Sequence, residues 1–132
     1  MTSLEAGIVT ADAARLAAFY RDGLGFDVDQ TLTFPQGTVL RLSRDRALFK
    51  IYQPVAGAIA VEAAEPWHQH SGFRYAALHV TDASTEIARA VAAGATVLVA
   101  LNNHRPHAWF AMIADPDGNL WEILQEDALP ET

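Results

Sequence analysis

One pattern runs twice through these 132 residues. The first copy opens with a strand-like run, "SLEAGIVT", and reaches Asp12. A helical segment, "AARLAAFYRDGLG", follows, and then three strand-like runs, "FDVDQTLTF", "GTVLRLSR" and "ALFKIYQP". The second copy opens with "FRYAALHVT" and reaches Asp82. Its helical segment is "STEIARAVAAG", and its three strand-like runs are "ATVLVAL", "HAWFAMIAD" and "NLWEILQED". The two aspartates lie 70 positions apart; Gly25 and Gly94, placed to end the helices, lie 69 apart. The repeat is one of element order rather than of residue identity, a duplicated βαβββ unit. Each aspartate is placed to cap a helix start, and each glycine to stop one. Leu16, Phe19 and Tyr20 share a stripe on the first helix, and Ile87 and Val91 lie one turn apart on the second. Turn residues at Pro35-Gln36-Gly37 and from Ser43 to Arg46 separate the strands of the first copy.

Two such units predict an α+β fold. The expected architecture is an eight-stranded, cup-like mixed sheet with the helices on its outer face. It forms a single domain over residues 1–132. The first module covers about 1–54, a linker rich in Ala, Glu and Pro about 55–72, and the second module about 73–127.

Composition narrows the functional classes. Hydrophobic residues make up 51%, enough for a core at this length. A net charge of −7 and a pI near 5.0 argue against nucleic acid or an anionic membrane as partner, because both demand a basic surface. With no cysteine, disulfides, thiolate metal sites and cysteine nucleophiles are excluded. No apolar run approaches the ~20 residues of a membrane span. The start, "MTSLEAGIVTAD", lacks the basic-then-apolar layout of a signal peptide. A cytoplasmic protein is the expectation.

Strand periodicity separates two kinds of face. Phe49 and Ile51 alternate with Leu48, Lys50 and Tyr52. Ala76, Leu78 and Val80 alternate with Tyr75, Ala77 and His79. The uniformly apolar sets are expected against the helices. The others mix polar groups with small residues: Gly7 beside Glu5, Ala77 beside Tyr75, as a concave ligand site requires. Glu122, in "NLWEILQED", shares its parity with Leu120 and Leu124. A carboxylate on so apolar a face needs a compensating partner.

The chain resembles the vicinal oxygen chelate superfamily, which includes glyoxalase I, extradiol dioxygenases, fosfomycin-resistance enzymes and bleomycin-resistance proteins. "AARLAAFYRDGLGF" is similar to the family's first helix, and "ADPDGNLWEI" to its closing hairpin. The resemblance spans nearly the whole chain. It implies that, in metal-dependent members, inward residues of four strands bind one divalent ion (Zn, Ni, Mn or Fe). The matching positions here are Glu5, Lys50, Tyr75 and Glu122. Lys50 departs from the pattern, since a charged ammonium has no lone pair to give. Two unit charges ~4 Å apart interact by roughly 4 kcal/mol at an effective dielectric of ~20, and a dication doubles the charge product. Half of the single-charge figure would already weaken metal binding more than tenfold.

The reading that follows places Lys50 where the cation would sit, compensating Glu5, Glu122 or both, with Tyr75 hydrogen-bonding into the cluster and no resident metal. The protein is then a binding module for a small organic ligand, aromatic or an antibiotic. The expected ligand-contacting residues are Glu5, Lys50, Tyr52, Trp67, Tyr75, His79, Trp109 and Glu122. Two alternatives stand beside it. One is a metal-dependent lyase, isomerase, dioxygenase or thiol transferase using Glu5 and Glu122 as ligands. The other is a metal-free acid–base enzyme. "WHQH" and "HRPH" have metal-like spacing, yet lie in loop-like segments without an acidic or cysteine partner; a lid or rim is the better role for them. The resemblance also implies a homodimer.

Overall fold

The computed structural model describes residues 1–61 and 65–127, apart from the side chain of residue 104. Residues 62–64 of the expected linker, and the His104 side chain of the "HRPH" stretch, lie outside the described set. The element order is β1 (Glu5–Val9), α1 (Ala13–Leu24), β2 (Asp27–Phe34), β3 (Gly37–Arg44) and β4 (Ala47–Pro54), followed by β5 (Tyr75–His79), α2 (Ala83–Ala92), β6 (Thr96–Arg105), β7 (Ala108–Ala114) and β8 (Leu120–Glu126). The α+β class and the duplicated βαβββ module are therefore both present. The strands fall into two four-stranded mixed sheets, ordered β1-β4-β3-β2 and β5-β8-β7-β6. The chain divides into two compact units, Met1–Glu62 and Ala63–Thr132, each holding one module. Between the modules, Trp67–Gln69 form a single 3₁₀ turn where the sequence suggested only loop.

In each unit the first strand runs parallel to the last, and the remaining pairs are antiparallel. Parallel pairing needs a crossover, which each helix supplies. The first helix begins where the Asp12 carboxylate accepts from the Arg15 N–H at 3.1 Å. It ends at Gly25, whose φ of 70° is left-handed and whose N–H bonds the Tyr20 carbonyl. The second begins at Asp82, which accepts from the Thr85 N–H at 3.2 Å and its hydroxyl at 2.8 Å. Its cap residue is Ala93, one before the predicted glycine, and Gly94 takes the positive φ.

Sequence reading missed a second cap in each unit. Gln53 of β4 accepts the Ala13 N–H at 2.8 Å, and Gln125 of β8 accepts the Ala83 N–H at 2.8 Å. Each amide ties the free start of its helix to the end of the strand beside the parallel partner. Ala13 and Ala83 are buried, so losing the acceptor leaves a donor dry. Gln125→Ala is expected to lower unfolding stability by about 1–3 kcal/mol, measured by urea titration.

The helix contributes more to the core in the first unit than in the second. Leu16, Phe19, Tyr20 and Leu24 of α1 are buried with Phe26, Leu42, Phe49 and Ile51. The Tyr20 ring lies 4.6 Å from that of Phe49, and Phe26 6.0 Å from Phe49. In the second unit α2 buries only Ala83 and Ala90 fully, and Val91 is 46% exposed. The apolar stripe there runs through the two alanines and Ile87, and Val91 sits at its edge.

Candidate functional site

The face of the first sheet opposite Phe49 and Ile51 carries the polar groups, because side chains alternate along a strand. Register places them in one row. Gly7 of β1 pairs with Lys50 of β4, Lys50 with Arg41 of β3, and Arg41 with Gln30 of β2. A two-residue turn at Asp45 and Arg46, with Asp45 at φ 52°, sets the β3–β4 register and so brings Arg41 opposite Lys50. Arg41 was not among the expected site residues. The signal for it was that turn together with the buried Leu42 beside it.

Glu5 reaches into the row. Lys50 Nζ lies 3.1 Å from Glu5 Oε1. Arg41 donates to Glu5 Oε2 from Nη2 at 3.2 Å and from Nε at 3.3 Å. Gln30 Oε1 accepts from Arg41 Nη1 at 3.5 Å. Both oxygens of one carboxylate are thus held by two different cations. The Lys50 ammonium, with help from Arg41, holds the Glu5 carboxyl below the usual carboxylate range, against the burial that pushes it up. The Glu5 side chain is 20% exposed, against 46% and 45% for Lys50 and Arg41. Unfolded, such a carboxyl titrates near 4.5. The contribution of the cluster is therefore present above that pH and lost as pH falls through the lower folded value. The stability difference between wild type and Glu5→Gln should be seen at neutral pH and should close below about 4.5, measured by urea midpoints across a pH series.

Two further features surround the row. No other side chain or strand neighbour among the described residues comes within 4 Å of where a Gly7 Cβ would stand, so the ground beside Lys50 is open. The Tyr52 ring instead covers Gly37, and its hydroxyl donates to the Gln36 carbonyl at 3.2 Å, anchoring the β2–β3 turn.

The second unit presents the corresponding face differently. Ala77 of β5 pairs with Glu122 of β8, and Glu122 with Met112 of β7. Glu122 occupies in β8 the place Lys50 has in β4. It is half-buried, and among the described residues its carboxylate has neither a hydrogen-bond nor an ion-pair partner. The expectation of a cation meeting an internal carboxylate is thus seen at Glu5 and is not seen at Glu122. Tyr75 is half exposed and its hydroxyl makes no hydrogen bond among the described residues; its ring meets that of Trp67 edge to face at 5.6 Å. His79 Nδ1 lies 3.7 Å from Glu126 Oε1, and the other Glu126 oxygen takes Arg105 at 2.8 Å. Trp109 alternates onto the face of Ala111 and Ile113, the side on which α2 lies, and pairs with Gln125. Replacing an unpartnered, half-buried carboxylate by an apolar group removes a desolvation penalty. Glu122→Leu is expected to raise stability by about 0.5–2 kcal/mol, read from the thermal midpoint.

A family model described as the Glyoxalase/Bleomycin resistance protein/Dioxygenase superfamily matches residues 3–123. The chain belongs to that superfamily. Among solved structures, glyoxalase I from Zea mays aligns with a TM-score of 0.78 at 17% identity, over 98% of this chain and 46% of the maize chain. A glyoxylase/bleomycin resistance protein/dioxygenase domain from Frankia sp. EAN1pec gives 0.77 at 11% identity, over 96% and 93%. A glyoxalase/bleomycin resistance protein/dioxygenase family enzyme from Burkholderia phytofirmans PsJN gives 0.67 at 21%, over 93% and 97%. At these identities the likeness is one of fold. None of the curated protein sequences compared with it matches.

Superfamily membership implies a divalent metal in many relatives, so the donor set matters. Among the described residues no group of three or more His, Cys, Asp or Glu side chains is arranged to hold a metal ion. At Glu5 the mismatch is chemical as well. Its two oxygens already face an ammonium and a guanidinium, and neither cation has a lone pair for a metal. The described residues around Glu5 do not fit the metal.

Proposed function

We propose that the protein is a binding module for a small organic ligand, aromatic or an antibiotic, and that it works without a resident divalent metal. The observation that supports this is the double neutralisation of Glu5 by Lys50 and Arg41. In this reading Glu5, Lys50 and Tyr52 touch ligand on the first unit. On the second, Trp67, Tyr75, His79 and Glu122 do so; Trp109 stands on the helix side of β7. Exposed aromatic rings supply apolar area and, for indole, a donor. The protein acts in the cytoplasm as a homodimer. No helix among the described residues is long and apolar enough to cross a membrane.

Native mass spectrometry with elemental analysis of the purified protein tests the reading. The expected result is a dimer with no stoichiometric Zn, Ni, Mn or Fe and with an organic ligand retained or readily loaded. About one such metal per chain would defeat it and restore the metal-dependent lyase, isomerase or dioxygenase with Glu5 and Glu122 as ligands.

One observation favours a second reading, metal-free acid–base catalysis. The half-buried Glu122 carboxylate, with no partner among the described residues, is the group this reading uses as acid or base toward a bound substrate. This reading expects a pH–rate profile that breaks on substitution to Gln; a flat profile rejects it.

A further inference from the structure

We propose that the ligand carries a carboxylate, or an equivalent planar monoanion, and that this group seats on Arg41 and Lys50 beside Gly7. The inference rests on the metal-free binding reading and adds the chemical class of the ligand.

Charge is the first argument. The row holds two cations, and Glu5 supplies one compensating carboxylate. One positive charge is left over, on a chain whose net charge is −7. A local excess of the opposite sign draws an anion and disfavours a neutral group that would cover it.

Donor geometry is the second argument. An ammonium has three N–H donors and a guanidinium five. Lys50 directs one at Glu5. Arg41 spends Nε and one hydrogen of Nη2 on Glu5 Oε2, and one hydrogen of Nη1 on Gln30. One hydrogen on each terminal nitrogen is left. That pair matches the two oxygens of a carboxylate side by side, and the unused Lys50 donors add a point charge. Glu5 and Gln30, one on each side of Arg41, fix the plane of the fork before any ligand arrives, so less freedom is lost on binding.

Space is the third argument. Lys50 and Arg41 are nearly half exposed, and Gly7, the residue paired with Lys50 on β1, has no side chain to crowd it. Positions 7, 50 and 41 thus form an open, oriented, singly positive patch within the first sheet.

The test compares benzoate with benzamide, which share shape and differ in charge. Both are titrated into the full chain by isothermal calorimetry or by NMR shift perturbation, with Arg41→Met, Arg41→Lys and Lys50→Met alongside. Benzoate should bind at least about tenfold more tightly than benzamide. Added salt should erode the preference. Arg41→Met and Lys50→Met should each abolish the preference, so that benzoate binds no more tightly than benzamide to that variant, and Arg41→Lys should keep only part of it. Folding of each variant is checked by its urea transition. Equal affinity for the two probes overturns the anion inference and leaves the binding reading intact. Loss of benzoate binding on adding a chelator overturns both, because the anion would then be held by a metal. No saturable benzoate binding in the millimolar range also overturns the inference.

Discussion

Phe49→Ala is expected to destabilise the protein by about 3–5 kcal/mol, the range for emptying a large aromatic site in a packed core. Phe49 is 1% exposed and stands on β4 between Leu48 and Lys50. Its ring meets Tyr20 of α1 at 4.6 Å and Phe26 at 6.0 Å, and Tyr20 in turn meets Phe19 edge to face at 5.1 Å. Truncation removes the common neighbour of this cluster. It also loosens the strand that presents Lys50 on its opposite face. Urea unfolding should show a large fall in midpoint with the slope unchanged. Phe49→Leu, which keeps most of the volume, should lose less than half as much. If alanine cost under about 1 kcal/mol, the α1–β4 contact would not be the core of the first unit.

Gly7→Val is expected to do the reverse, sparing the fold and removing the function. Open ground surrounds the place of the missing Cβ, and a β-branched residue suits an extended strand. Replacing glycine also narrows the unfolded ensemble, so stability should hold or rise by up to about 1 kcal/mol. The new side chain would stand in the space beside Lys50, and affinity for small organic ligands should fall by tenfold or more. Gly37 shows the contrast. A Cβ there would run into the Gln53 carbonyl oxygen and the Tyr52 ring, so substitution at that glycine should injure the fold itself. Calorimetric binding and urea unfolding of Gly7→Val, measured together, separate the two effects. Unchanged ligand affinity would place the binding surface elsewhere.

Much of the fold was legible because its determinants are local. Asp12 and Asp82 cap by hydrogen-bonding within one turn, and Gly25 ends its helix through its own backbone angle. Period-2 alternation alone put Glu5, Gly7 and Lys50 on faces opposite the apolar ones. What escaped was non-local. Gln53 and Gln125 meet helix starts some 40 residues away, and nothing adjacent in the chain marks them. Arg41 stands opposite Lys50 only once the β3–β4 turn has set the register. Trp109 invites reading as a ligand-stacking indole, yet its parity on β7 puts it with Ala111 and Ile113. Glu122 was expected to share an internal cation, because a carboxylate on an apolar strand face requires a partner. In the structure the cation's partner is Glu5.

The most direct measurement is the carboxyl ¹³C titration of Glu5, followed by addition of Mn²⁺ at neutral pH. A side chain clamped between an ammonium and a guanidinium should titrate below 4.5 and keep a sharp resonance when the paramagnetic ion is added. Titration at or above that value, together with selective broadening of the Glu5 signal by Mn²⁺, would contradict the cation-held arrangement.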